Sequence, residues 1–192
     1  MKAITADLLL SNVDYLQVRD VMRRGIIEHK KDRRIEVGPQ VTFVFEDQKT
    51  TLFQIQEILR AEEITEPAAI AGELEVYNAI LPGDGQLSAT VMITFSEQGN
   101  IRAERKRLVG LMEGVQLRLG ELRVPARFED GRETDERISA VQYLHFDFDA
   151  PTIEALRSAE RISLAIDHPA YEHETEIWAG MRASLLVDLA GE

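Results

Sequence analysis

Apolar and polar positions follow two periods along this chain, and the change of period divides it. Residues 14–31 carry helical spacing, with Leu16, Met22, Ile26 and Ile27 as the inward set. RIEVGPQVTFVFE reads as a hairpin, two β-rich runs around Gly38-Pro39. Thr51, with Gln54 three residues on, forms a capping box that opens a helix. Thr65-Glu66-Pro67 ends that helix and starts another, which runs to about Tyr77. The loop NAILPGDGQ then separates a helical and hairpin lobe, residues 1–80, from a sheet domain, residues 81–192, the two forming one compact unit.

Beyond the loop the strand period takes over. LSATVMITF, residues 87–95, places Leu87, Ala89, Val91, Ile93 and Phe95 on one face. A helix from Asn100 to about Met112, the strand VQLRL and a short strand LRVPARF follow, with Pro125 arguing for an edge or a bend. ISAVQYLHFDF is again a strand; Asp149 caps a short helix; ISLAI is a strand; a helix from about Ala179 to Leu189 closes the chain. Strand, helix, strand thus occurs twice with a strand inserted between. The expectation is an α+β fold: an antiparallel sheet with helices on one face, built from ferredoxin-like β-α-β repeats.

One helix carries a misfit. At about 100° per residue, Leu52, Ile55, Ile58 and Leu59 form the apolar arc of TLFQIQEILRAEEI, and Glu62 falls inside it. Gln56, Arg60 and Glu63 share a polar side. Glu62 is therefore expected to be partly buried and paired with Arg33 or Arg34; the sharper alternative is a metal ligand or binding-site carboxylate. Gln56 and Arg60 mark the exposed edge, and Arg60 with Tyr143 would line a cleft between the lobe and the uncovered sheet face.

Composition narrows the chemistry. The chain has 192 residues, 44% of them hydrophobic, enough for one core-bearing domain. It has no cysteine, which excludes disulfides, thiol nucleophiles and thiolate metal sites. A net charge of −12 argues against general nucleic-acid binding. No run is long enough for a membrane span, and MKAITADLLL, with Asp7 in its apolar patch and no small-residue cleavage site, is not expected to be a secretory signal. A cytoplasmic protein is expected. Arg19 to Arg34 is the local exception, with seven Lys or Arg against three acids. It reads either as a solvated helix end or as a docking patch for an acidic partner.

Residues of ligand type occur in two places. His145 and Asp147 project from one face of a strand, and His168 and His173 stand in DHPAYEHE. The four could hold a single metal ion in N/O coordination if the fold brought them together. In the plainer reading His168-Pro169 is a turn and His145 bonds a strand neighbour. There is no dinucleotide fingerprint, phosphate loop or nucleophile elbow, and Glu62-Glu63 splays apart on its helix.

RRIEVGPQVTFVFED, TLFQIQEILRAEEI, ELEVYNAILPGDGQLSATVMI, ISAVQYLHFDF and IDHPAYEHETEI occur in this order. Together they resemble a bacterial family of unknown function, domain of unknown function 3501, over nearly the whole chain. The resemblance implies no activity. It implies a redox or peroxide-stress setting, because such proteins are encoded beside rubrerythrin-like and iron–sulfur oxidoreductase-like proteins. The polar residues typical of the matching blocks are Arg33, Arg34, Gln54, Gln56, Glu57, Arg60, Glu62, Tyr77, Asn78, His168 and Tyr171, none with an assigned role. The leading expectation is a non-enzymatic accessory or interaction protein whose partner is an oxidoreductase, with no cofactor. The alternative is a metal-binding protein or metalloenzyme using the His/Asp set.

Overall fold

The computed structural model describes residues 1–95, 100–128, 133–134 and 137–190. The helices are α1 (Asn12–His29), α2 (Gln48–Ala61), α3 (Pro67–Asn78), α4 (Ile101–Arg107), α5 (Ala150–Ser158) and α6 (Ala179–Ala190). The strands are β1 (Arg34–Val37), β2 (Val41–Glu46), β3 (Gln86–Ile93), β4 (Val115–Leu119), β5 (Leu122–Phe128), β6 (Glu133–Thr134), β7 (Arg137–Ile138), β8 (Val141–Asp147), β9 (Ile162–His168) and β10 (Tyr171–Glu176). Eight strands form one antiparallel sheet in the order β1-β2-β3-β8-β5-β4-β9-β10, and β6 pairs with β7 apart from it. No helix is long and apolar enough to cross a membrane, among the described residues.

The sheet curls until its two edges meet, giving a nearly closed barrel. Side chains bridge the seam. The Tyr171 hydroxyl donates to the Val37 carbonyl (2.7 Å) and accepts from the Gln40 amide (2.9 Å), and the Thr175 hydroxyl donates to the Glu36 carbonyl (2.8 Å). Gly38 is required at this point. Its φ is +69°, and a Cβ there would sit 2.5 Å from the His173 ring and 2.6 Å from the Tyr171 hydroxyl.

The period-two pattern fills the barrel. Val41, Phe43 and Phe45 of β2, Leu87, Ala89, Val91 and Ile93 of β3, and Leu144 and Phe146 of β8 all point into one core. Leu156 of α5 and Met181 and Leu185 of α6 join them. Pro125 sits where β5 changes partner: Leu122–Pro125 faces β4 and Ala126–Phe128 faces β8. The proline expected to mark an edge or a bend thus stands at the change of partner.

The α+β class holds, but the ferredoxin-like repeats do not occur. β8 and β5 lie between β3 and β4, and β5 and β4 lie between β8 and β9. Because every pairing is antiparallel, the strand after each helix runs opposite to the strand before it, so neither unit is a β-α-β crossover. The helices are too short for one. The seven residues of α4 span roughly 10 Å and the eight of β3 roughly 26 Å. β10 went unread in the sequence because YEHETE buries only Tyr171. The hairpin of β1 and β2 continues into β3, so the barrel draws strands from both sides of the 80/81 division.

α1, α2 and α3 form a lobe on the outside of β2, β3 and β8. Ile4, Ile55, Leu59 and Leu81 make its own small core. Two side-chain amides fasten the N-terminal segment to it as short mimics of strand pairing. Gln56 accepts from Leu10 N (2.7 Å) and donates to Leu10 O (3.1 Å); Asn78 does the same with Ile4 (2.8 and 2.9 Å). α2 starts earlier than its pattern suggested. Asp47, not Thr51, caps it, in a box with Thr50.

A buried ionic cluster joins lobe to barrel. Arg33 is 1% exposed, and its guanidinium donates to the Phe45 carbonyl (2.9 Å), the Glu46 carbonyl (3.2 Å), Ser184 (2.8 Å) and both oxygens of Asp188. Asp47 Oδ2 lies 3.4 Å away, and His29 Nε2 is 2.5 Å from that same oxygen. Burial pushes the Asp188 carboxyl up, against the pull of Arg33. Burial also opposes ionisation of Asp47, but Arg33, the Thr50 amide and His29 together hold its carboxyl below the ordinary value. A second cluster ties α1 to α2: Glu57 accepts from Arg19 (2.7 and 2.8 Å), Tyr15 (2.7 Å) and Arg60 (3.4 Å). The Arg19 bonds, against a burial cost, hold the Glu57 carboxyl down at about 2.

Replacing Arg33 by Met should cost about 3–5 kcal/mol of unfolding free energy, because two buried carboxylates lose their cation. Urea titration checks this, and an unchanged midpoint would contradict the role given to Arg33. The acid limb gives a further expectation. As pH falls from about 4.5 towards about 2, the unfolded chain protonates Glu57 before the folded one does. Stability from this group is complete above 4.5 and is lost across that window, so Glu57→Gln should flatten the fall in urea midpoint there. Asp188, shifted the other way, contributes with opposite sign.

Candidate functional site

Two cavities flank the lobe. The first, of about 460 Å³, lies beside the Arg33 cluster, between Met1, Lys2, His29, Gln48, Lys49, Ser184 and Val187. Its most polar wall is already spent: the guanidinium is committed to five acceptor atoms, so Arg33 has nothing left to offer a ligand. This cavity borders a structural core of charge.

The second cavity, of about 400 Å³, is a cleft between α2, α3 and the outer wall of the barrel. Three local features build it. Glu62 is the C-cap of α2, and the chain turns sharply at Glu63, whose φ is +53°. α3 then returns with Glu73, Val76 and Tyr77 along one side. β8 supplies Tyr143 as the floor, one of its outward residues, paired across to Thr90 of β3. Ile58, Ala79 and Ile80 complete the lining.

The electrostatics of the cleft are one-sided. Its walls carry two carboxylates and two phenols, and none of its lining residues is Lys, Arg or His. Burial pushes the Tyr77 hydroxyl up, and Tyr143, Glu73, Glu62 and Glu46 add in the same direction. The Tyr77 hydroxyl therefore stays protonated at physiological pH, and both rings present π faces beside the two carboxylates. An arrangement of this kind attracts a cation and repels an anion.

The residues singled out in the sequence are placed unevenly. Glu62 and Tyr143 do meet, as walls of the cleft. Glu62 is exposed, however, and is not buried or paired with Arg33 or Arg34: α2 ends at Ala61, so the helical projection no longer applies to it. Gln56, expected at the exposed edge, is buried, because the N-terminal segment covers that side of α2. Arg60 packs against Glu57 and does not line the cleft. Arg33 is buried with Asp188, while Arg34 is exposed beside Glu36 (3.0 Å). The basic run is largely answered within the chain: Arg19 by Glu57, His29 by Asp47, Lys31 by Glu28, Arg33 by Asp188 and Arg34 by Glu36. Of the expected inward residues of α1, Ile26 is buried but Leu16 and Ile27 face outward.

The histidines are not brought together. β8 and β9 are separated by two strands, roughly 14 Å, so His145 and Asp147 stand apart from His168 and His173. His145 is buried on the outer wall opposite Ser88; Asp147 is paired with Arg127 (3.2 Å) and Gln86 (2.6 Å). His168 bridges Val109 O (3.0 Å) and Ala170 N (3.2 Å), and His173 lies edge-on to Tyr171. Among the described residues no group of three or more His, Asp or Glu is arranged to hold a metal ion.

Several residues that matter went unnoticed in the sequence. Asp188 has a legible signal, one acid inside the apolar run SLLVDLA. Glu46 ends the apolar strand VTFVFE and is buried, accepting from Thr90 (2.6 Å) and Gln54 (2.9 Å). Glu57 and Tyr77 were named only among the family-block residues, without a role, and carry no such mark of their own.

The comparisons bear on kinship alone. A protein of unknown function from Burkholderia pseudomallei K96243, solved by crystallography, is similar over 98% of this chain and 100% of its own, with 33% identity and a TM-score of 0.90. No curated protein matches the chain. The model of the family described as protein of unknown function (DUF3501) matches residues 3–189, and the chain belongs to that family.

Proposed function

We propose that the protein is a non-enzymatic accessory protein that binds a partner by taking one of its basic side chains, a lysine or arginine, into the cleft between α2, α3 and β8. The carrying observation is the cleft's one-sided chemistry: Glu62 and Glu73 beside the rings of Tyr77 and Tyr143, with no cation in the lining. A cationic side chain there would gain carboxylate pairing and contact with aromatic faces at once. Most polar residues of the blocks that carry the family resemblance are occupied elsewhere: Arg33, Gln54, Gln56, Glu57, Asn78, His168 and Tyr171 all bond within the chain. Arg34 and Arg60 pair with Glu36 and Glu57, and the remaining two, Glu62 and Tyr77, line the cleft. The redox setting that the resemblance implies makes an oxidoreductase the natural partner. The sequence holds no catalytic template that would argue for chemistry of its own. The metal-binding alternative lacks support from the geometry, since its four residues lie on distant strands.

The test uses a short lysine-containing peptide and its Nε-acetylated form, with binding followed by calorimetry and by tyrosine ring resonances. The unmodified peptide should bind and the acetylated one should not. Glu62→Gln with Glu73→Gln should weaken binding about tenfold or more, about 1.4 kcal/mol, with the fold intact. Equal binding of both peptides, or indifference to the double substitution, would remove the cleft from consideration.

A further inference from the structure

α1 leaves a large apolar surface in water. Val13, Leu16, Val21 and Ile27 are between 52% and 69% exposed, although the helix has 18 residues and packs on α2. Its inward face is narrow, with Tyr15 and Ile26 the buried residues. The exposed set has its own order. At about 100° per residue, Val13, Leu16, Asp20, Arg23 and Ile27 fall within about 80° of one another, at the 3-4-3-4 spacing of a helix-pairing seam. All five are exposed.

The charges along that seam choose the occupant. Reversed upon itself, the stripe matches. When residue numbers across the pair sum to 43, Leu16 faces Ile27 of a second copy, and Asp20 faces Arg23 of a second copy. Both contacts then occur twice about a twofold axis near Val21 and Met22. A parallel pairing would set Asp20 against Asp20 and Arg23 against Arg23. Arg24, exposed and about 60° from the centre of the stripe, adds to the positive charge of its C-terminal half. An acidic foreign partner would be drawn to Arg23 and Arg24 but repelled by Asp20, whereas a second copy satisfies both Asp20 and Arg23. The geometry points to a homodimer formed by antiparallel packing of α1 on α1. This is independent of the cleft, which uses α2, α3 and β8.

Sedimentation velocity on the full chain at 1–100 µM tests it, with circular dichroism to confirm folding. Wild type should sediment at twice the chain mass at the upper concentrations. Asp20→Arg and Arg23→Asp, each placing like charges opposite one another twice, should each weaken the dimer at least about tenfold. The double exchange, Asp20→Arg with Arg23→Asp, restores the match and should restore the dimer. Leu16→Glu should give a folded monomer. A wild type that stays monomeric at 100 µM overturns the proposal, and so does a dimer unmoved by the single reversals. A double exchange that remains as weak as the singles also overturns it, because the antiparallel register is then wrong.

Discussion

The fold depends on keeping Arg33 out of water. Its guanidinium gathers the end of β2, the start of β1 and α6 around one centre, and through Asp47 and His29 it reaches the caps of α2 and the end of α1. Burying such a charge costs several kcal/mol unless every donor finds a partner, and here two carbonyls, a hydroxyl and two carboxylates supply them. An apolar substitute could fill the space, but it would strand Asp188 and Asp47. The cluster therefore fixes which segments meet there, and it does so at the junction where the lobe is attached to the barrel.

From that junction the rest of the arrangement follows. With α2 capped by Asp47, its length and the turn at Glu63 decide where α3 returns along the barrel wall. Gln56 and Asn78 hold the N-terminal segment across the lobe's surface, and the Glu57 cluster fixes α1 beside α2. What remains uncovered is specific: one acidic, aromatic cleft on one side of the lobe and one striped helix face on another. These are the two surfaces on which the proposed associations rest.

The barrel and the ferredoxin-like sheet differ by closure, and closure is decided at a seam of few contacts. Tyr171 and Thr175 reach across to β1, and Gly38 makes room for the Tyr171 hydroxyl and the His173 ring. The same strands, with the same alternation, would serve an open sheet. Nothing in the pattern of β3 or β8 states which neighbours they take.

The sequence by itself determined the class and most of the elements, though not β10. Period two placed Leu87, Ala89, Val91 and Ile93 on one buried face, Asp149 capped α5, and Pro125 stands where β5 changes partner. These are local facts, set by backbone geometry and side-chain spacing within a few residues. Strand order, the seam and the burial of Gln56 and Arg33 came only with the tertiary structure. Gln56 is buried because a segment more than forty residues away lies over it, and Glu62 escaped burial because its helix stopped one residue short. The polar side chains were the hardest to place, since a buried charge is tolerated only where distant partners converge on it, and no spacing along the chain records that convergence.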